Sequence, residues 1–152
     1  MKFPTMSFNM LTFWTGLTAG VLFYLMNRFY TFFHFIENEW LLSVFPDWEK
    51  NWLNQLQLLF IVCLISIVWA FLYKSFIKTG ESIIPGVIVN LILLLLIFAG
   101  GWLADAAMNP LKLEAHTVIS MTSLFILHGA FTGYSIAYHE PYEQDSETSG
   151  AL

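Results

Sequence analysis

Four stretches of the chain hold no charged side chain: residues 3–27, 51–73, 82–104 and 115–139. Each is 23 to 25 residues long. At about 1.5 Å of rise per residue, a helix of that length crosses the roughly 30 Å hydrocarbon core of a bilayer. A water-soluble bundle needs a polar face along every helix. None of these stretches has a charged one, and Leu91–Phe98 is apolar throughout. Barrel strands would alternate over about ten residues, which this run does not do. The pattern predicts an all-α, four-span transmembrane helical bundle forming one domain over residues 1–140. The spans fall at about 8–33, 53–74, 82–104 and 110–139.

Local signals set the expected ends. Pro4 precedes the first helix, and Lys74, Lys78 and Gly80 mark the exit from the second. Pro85 falls in the first turn of the third helix, where a missing N–H costs nothing. Asn109 followed by Pro110 reads as an N-cap and first helical residue for the fourth. Residues 37–50 mix Trp40, Leu41, Leu42, Val44, Phe45 and Trp48 with Glu39, Asp47, Glu49 and Lys50. That mixture predicts an interfacial segment or a loop anchored by tryptophan at the membrane surface. Residues 141–152 are polar and acidic and predict a disordered tail.

Composition sharpens the picture in two places. The formal net charge is −5, with acidic residues concentrated in the tail, and no basic patch exists to attract nucleic acid. Cys63 is the one cysteine, so no intrachain disulfide can form. Basic residues are balanced between the two sides of the predicted bundle. The tight loop with Lys74 and Lys78, together with Lys2 and the free amino group, favours both termini in the cytoplasm. A bacterial inner membrane is the expected location.

Candidate chemistry is sparse. There is no GxSxG, CxxC, HExxH or glycine-rich phosphate loop, and no span carries a central carboxylate. No catalytic residue is assigned. His128 lies near the midpoint of its span, where an ionisable group is a functional candidate by default. It could hold a cofactor, haem or quinone, or serve a proton path. It could equally be a neutral histidine bonded to Thr18, Asn90 or a carbonyl, holding helices in register. His34 and His116 are both expected at the outer interface near acidic residues, and form a candidate metal pair. They could also be simply solvated. Gly16 and Gly20, and Gly129 and Gly133, form two small-xxx-small motifs that let helix backbones approach closely. By depth, these motifs predict contact between the first and fourth spans.

The stretch Gly16-Leu17-Thr18-Ala19-Gly20-Val21-Leu22 resembles the first span of YagU-like inner-membrane proteins. The closing stretch with His128-Gly129, Gly133 and Tyr138 is similar to that family's last helix. The resemblance implies a small bacterial four-helix membrane protein without an assigned activity. The residues themselves point to a non-enzymatic structural or accessory subunit of a membrane complex, or a homo-oligomer. Its expected partners are the lipid bilayer and other membrane subunits or copies of itself. Two other readings stay open. One is a redox-complex subunit binding haem or quinone through His128, or through His34 with His116. The other is an oligomeric channel or carrier.

Overall fold

The computed structural model describes residues 7–36, 51–76, 82–103 and 109–137. The expected interfacial segment at 37–50 and the tail at 141–152 lie outside the described residues. Among the described residues there are four helices: α1 Phe8–Phe32, α2 Trp52–Phe76, α3 Ile84–Leu103 and α4 Ala115–Ala137. Among the described residues there is no strand. Helices α1, α2 and α3 are long and apolar enough to cross a membrane. Helix α4 has 23 residues and carries Thr, Ser and His along its length.

The helix ends follow from side-chain and backbone hydrogen bonding. Ser7 caps α1, its Oγ accepting from the Met10 N–H at 3.4 Å. At the other end His34 adopts φ +58°. The His34 N–H donates to the Thr31 carbonyl and the Phe35 N–H to the Tyr30 carbonyl, at 3.2 and 2.9 Å. This is the Schellman stop, with His34 in the left-handed position that glycine usually takes. It turns the chain so that Ile36 buries in the core. Helix α3 opens with the Ile84 N–H donating to Ser82 Oγ at 3.3 Å and Pro85 in its first turn.

The start of α4 differs from expectation. Asn109 does not cap it, and Pro110 is not its first residue. Asn109 Oδ1 accepts from the Leu111 N–H at 3.0 Å, and its carbonyl accepts from the Lys112 N–H at 2.9 Å. Asn-Pro therefore builds a separate turn, and α4 begins five residues later at Ala115. Proline at φ near −65° suits both a helix N1 position and the second residue of a turn, so the dipeptide alone does not separate them.

Helix α1 packs on α2 and on α4, and α4 packs on α3. The order across the molecule is therefore α2–α1–α4–α3. The largest core cluster joins Ile36, Leu94, Phe98, Met121, Leu124 and Phe125. Smaller ones hold Leu58 with Val62, and Ala70 and Tyr73 with Ile136. Polar groups also lie inside: Thr12, Asn27, Ser66, Asn90, Thr117 and Thr132 are buried. Large apolar side chains face outward, including Phe60 at 64% exposure, Leu95 at 64% and Ile119 at 68%. Water would penalise such a surface, whereas lipid is its natural solvent.

The two glycine motifs do not meet each other, contrary to the pairing expected from depth. A Cβ on Gly16 would stand 2.6 Å from the Ile67 Cα, and one on Gly20 2.7 Å from the Cys63 Cα. Those glycines thus seat α1 on α2. Gly133 instead faces Gly86, where an added Cβ would lie 3.2 Å from the Gly86 Cα, and Gly129 faces Gly86 and Asn90. These seat α4 on α3. The α1–α4 contact is aromatic: Phe23 meets Phe125 edge to face at 5.3 Å. A glycine pair supplies a flat surface without naming its partner, and Gly86 and the backbone around Cys63 and Ile67 supply the matching ones.

Candidate functional site

His128 sits where all four helices converge. Its Nδ1 lies 2.9 Å from Asn90 Oδ1 on α3, and its Nε2 lies 2.9 Å from Ser66 Oγ on α2. Phe23 of α1 closes the site, its ring edge to face with the imidazole at 5.5 Å. Asn90 is itself fully buried and donates from Nδ2 to the Gly86 carbonyl at 2.9 Å. That bond orients the amide and turns Oδ1, which can only accept, toward the histidine. In its neutral form the ring therefore carries its proton on Nδ1 and donates it to Asn90. The Ser66 hydroxyl donates to Nε2. Both ring nitrogens are engaged within the protein.

The sequence places these groups together for reasons of register. Counted from the helix C-terminal ends, Ser66 stands ten residues before Phe76 and His128 nine before Ala137. Helices α2 and α4 run parallel, so both reach the same depth. Asn90 comes six residues after the start of the antiparallel α3. Thr18 is exposed and lies outside this network, while Asn90 is within it. Ser66 was not singled out from the sequence. Depth counting from the shared end of α2 would have found it. Cys63 is buried against Gly20.

The chemistry open to this arrangement is limited. Iron ligation by His128 would require its Nε2 lone pair, which accepts from Ser66. His128 borders two cavities, one of about 200 Å³ shared with α2 and α3 and one of about 250 Å³ between α1 and α4.

The histidines at the helix ends are placed differently. His34 is exposed and ends α1, beside an open hollow lined by Arg28, Phe29, Thr31 and Phe32. His116 is exposed in the first turn of α4, with Nδ1 3.2 Å from Glu114 Oε2. Among the described residues no three His, Cys, Asp or Glu side chains converge as a metal site would require. Other polar links escaped sequence reading. Tyr24 donates to Gln55 at 2.8 Å, Lys74 donates to Asn9 at 2.7 Å, and the Tyr30 and Ser123 hydroxyls meet at 3.0 Å. Each ties α1 to a neighbouring helix.

Comparison with known proteins agrees with a membrane protein. No solved structure matches the chain. An uncharacterised protein, YqhR of Bacillus subtilis strain 168, is 32% identical over 145 residues, covering 88% of this chain and 77% of that protein. The model of the conserved membrane protein family YqhR matches residues 1–150. The family is thus a different one from the YagU-like group that the glycine stretches resemble, since helical glycine spacing is common to many membrane proteins. The chain belongs to the YqhR family of conserved membrane proteins.

Proposed function

We propose that this protein is a four-span, non-enzymatic subunit that scaffolds a membrane assembly, either with other subunits or with copies of itself. The observation that carries this reading is the closed His128 network. The titratable group nearest the centre of the bundle has both nitrogens hydrogen-bonded to neighbouring helices. Such a group fixes helix register. In the proposed topology α4 is the fourth span. Its Thr117, Thr132 and His128 turn inward, while its exposed positions Ile119, Ile126 and Leu127 are apolar. Hydropathy averaged along α4 counts those inward polar groups, although lipid meets only the outward face. An even number of spans puts both termini on one side, and the lysines near the α2–α3 connection favour the cytoplasmic side.

The test is purification of the full chain in mild detergent, followed by mass spectrometry of whatever accompanies it. A stoichiometric membrane partner or a defined homo-oligomer is the expected result. A colourless monomer with no companion would overturn the scaffold. A Soret band that vanishes in His128→Ala would replace it with the redox reading.

A further inference from the structure

Helix α1 carries one charged side chain, Arg28, four residues before its end. Its 25 residues rise about 37 Å, against a hydrocarbon core of roughly 30 Å. Centred on a bilayer, the helix holds Arg28 about 3 Å inside the hydrocarbon edge. The surrounding surface agrees with that depth. Phe29, Phe32 and Phe33 are exposed, Phe32 at 76%. Their rings form a continuous row, with centroids 4.5 Å apart for Phe29 and Phe33 and 5.2 Å apart for Phe32 and Phe33. A row of exposed rings is at home in lipid, not in water.

Beside this row lies an open hollow of about 600 Å³, bordered by Arg28, Phe29, Thr31, Phe32 and His34. A cation at the hydrocarbon edge is stable when its head reaches the headgroup level and meets an anion there. The guanidinium presents five N–H donors in a planar fork. It can grip two phosphate oxygens while keeping its contacts within the protein. His34 is exposed and offers a ring N–H even when neutral. The whole chain has a net charge of −5, so no general attraction draws anions to it. An anion held here is held by the local cation.

We infer that this hollow binds the phosphodiester of an anionic glycerophospholipid from the leaflet at the C-terminal end of α1. Arg28 grips the phosphate, His34 donates a second hydrogen bond, and the acyl chains run along Phe29 and Phe32. The inference rests on α1 crossing the membrane. The probes are phosphatidylglycerol and a glucosyl diacylglycerol, which keeps the acyl chains but lacks the phosphate. Full-length protein is equilibrated with vesicles of each, extracted in mild detergent and weighed by native mass spectrometry. The native chain retains one phosphatidylglycerol and holds it about tenfold more tightly than the glycolipid, the effect of one hydrogen bond to a charged group. Arg28→Gln brings the two lipids level, and Arg28→Lys keeps part of the preference, as a point charge without the fork should. His34→Gly lowers retention of phosphatidylglycerol about threefold. Lys112→Gln, which removes an exposed cation on the same side of the bundle, leaves the preference intact. Thermal unfolding confirms that the variants fold. Equal retention of the two lipids by the native chain overturns the inference, as does a preference that survives Arg28→Gln. An equal loss in Lys112→Gln overturns it too, because any nearby charge would then suffice. Displacement of the lipid by inorganic phosphate would reassign the hollow to the free anion. Release of the native chain by alkaline carbonate would overturn the spanning of α1, and the inference with it.

Discussion

At the scale of single residues, His128 and His34 show how one side-chain type serves different physical ends. His128 links three helices through its ring. Replacing it with alanine leaves Asn90 Oδ1 without its donor and opens a void beside the existing cavities. We expect His128→Ala to destabilise the folded protein by about 2 kcal/mol in detergent, read as a lowered midpoint of thermal unfolding. In a double-mutant cycle with Ser66→Ala, the coupling should be about 0.5–1.5 kcal/mol, the size of an interhelical hydrogen bond in a membrane protein. Zero coupling would show that the Ser66–Nε2 bond contributes nothing. His34 matters through its backbone. Glycine tolerates φ +58° without the Cβ penalty, so His34→Gly should leave thermal stability unchanged or raise it by up to about 1 kcal/mol. A metal ligand would respond differently. If His34→Gly abolishes binding of a divalent ion to the purified chain, the exposed histidine has a coordinating role.

At the scale of helices, the pairing of the glycine faces makes a sharper statement than their spacing. Gly16 and Gly20 lie against backbone atoms of α2, which cannot move aside as a flexible side chain would. Gly20→Leu should therefore displace α1 from α2 and cost about 1–3 kcal/mol as overpacking. Crosslinking distinguishes the observed pairing from the alternative. In a Cys63→Ser background, Gly16→Cys with Gly129→Cys should form no disulfide on mild oxidation, because those positions face different helices. The reverse outcome would mean that α1 and α4 meet through their glycines after all. Phe23 fills the space that such a contact would occupy, resting on both Phe125 and His128.

At the scale of the whole molecule, the interior is packed with apolar side chains as in a protein folded in water, and the surface is apolar as well. Apolar side chains cover the outside, and threonine, serine and asparagine sit between helices. The fourth helix is the decisive case, because it carries Thr, Ser and His along its length while its exposed positions Ile119, Ile126 and Leu127 are apolar. Ile126→Lys places a charge on that outward face near the middle of the helix. It should cost about 2.5–3.5 kcal/mol of membrane insertion, measured as the fraction of chain resisting alkaline extraction. A surface position in water would accept the same change with little effect. Lysine tolerated at Ile126 would show that α4 lies outside the hydrocarbon core.

Among the described residues, the chain alone determined that the elements are helices and that three of them are long and apolar enough to cross a membrane. Each is a property of a continuous segment, set by length, by the absence of charge and by residues such as Ser7 and Pro85. Hydrophobic length also pointed to His128 as a group held at depth. Which surfaces join was decided by tertiary structure. The glycine pairs could have matched each other, yet each found a flat partner on a different helix. Asn109 could have capped α4, yet its side chain closed a turn of its own. Ser66 became the partner of His128 only because parallel helices brought their C-terminal halves level. Partner choice depends on the fit of two surfaces distant in sequence, and no local pattern encodes that fit.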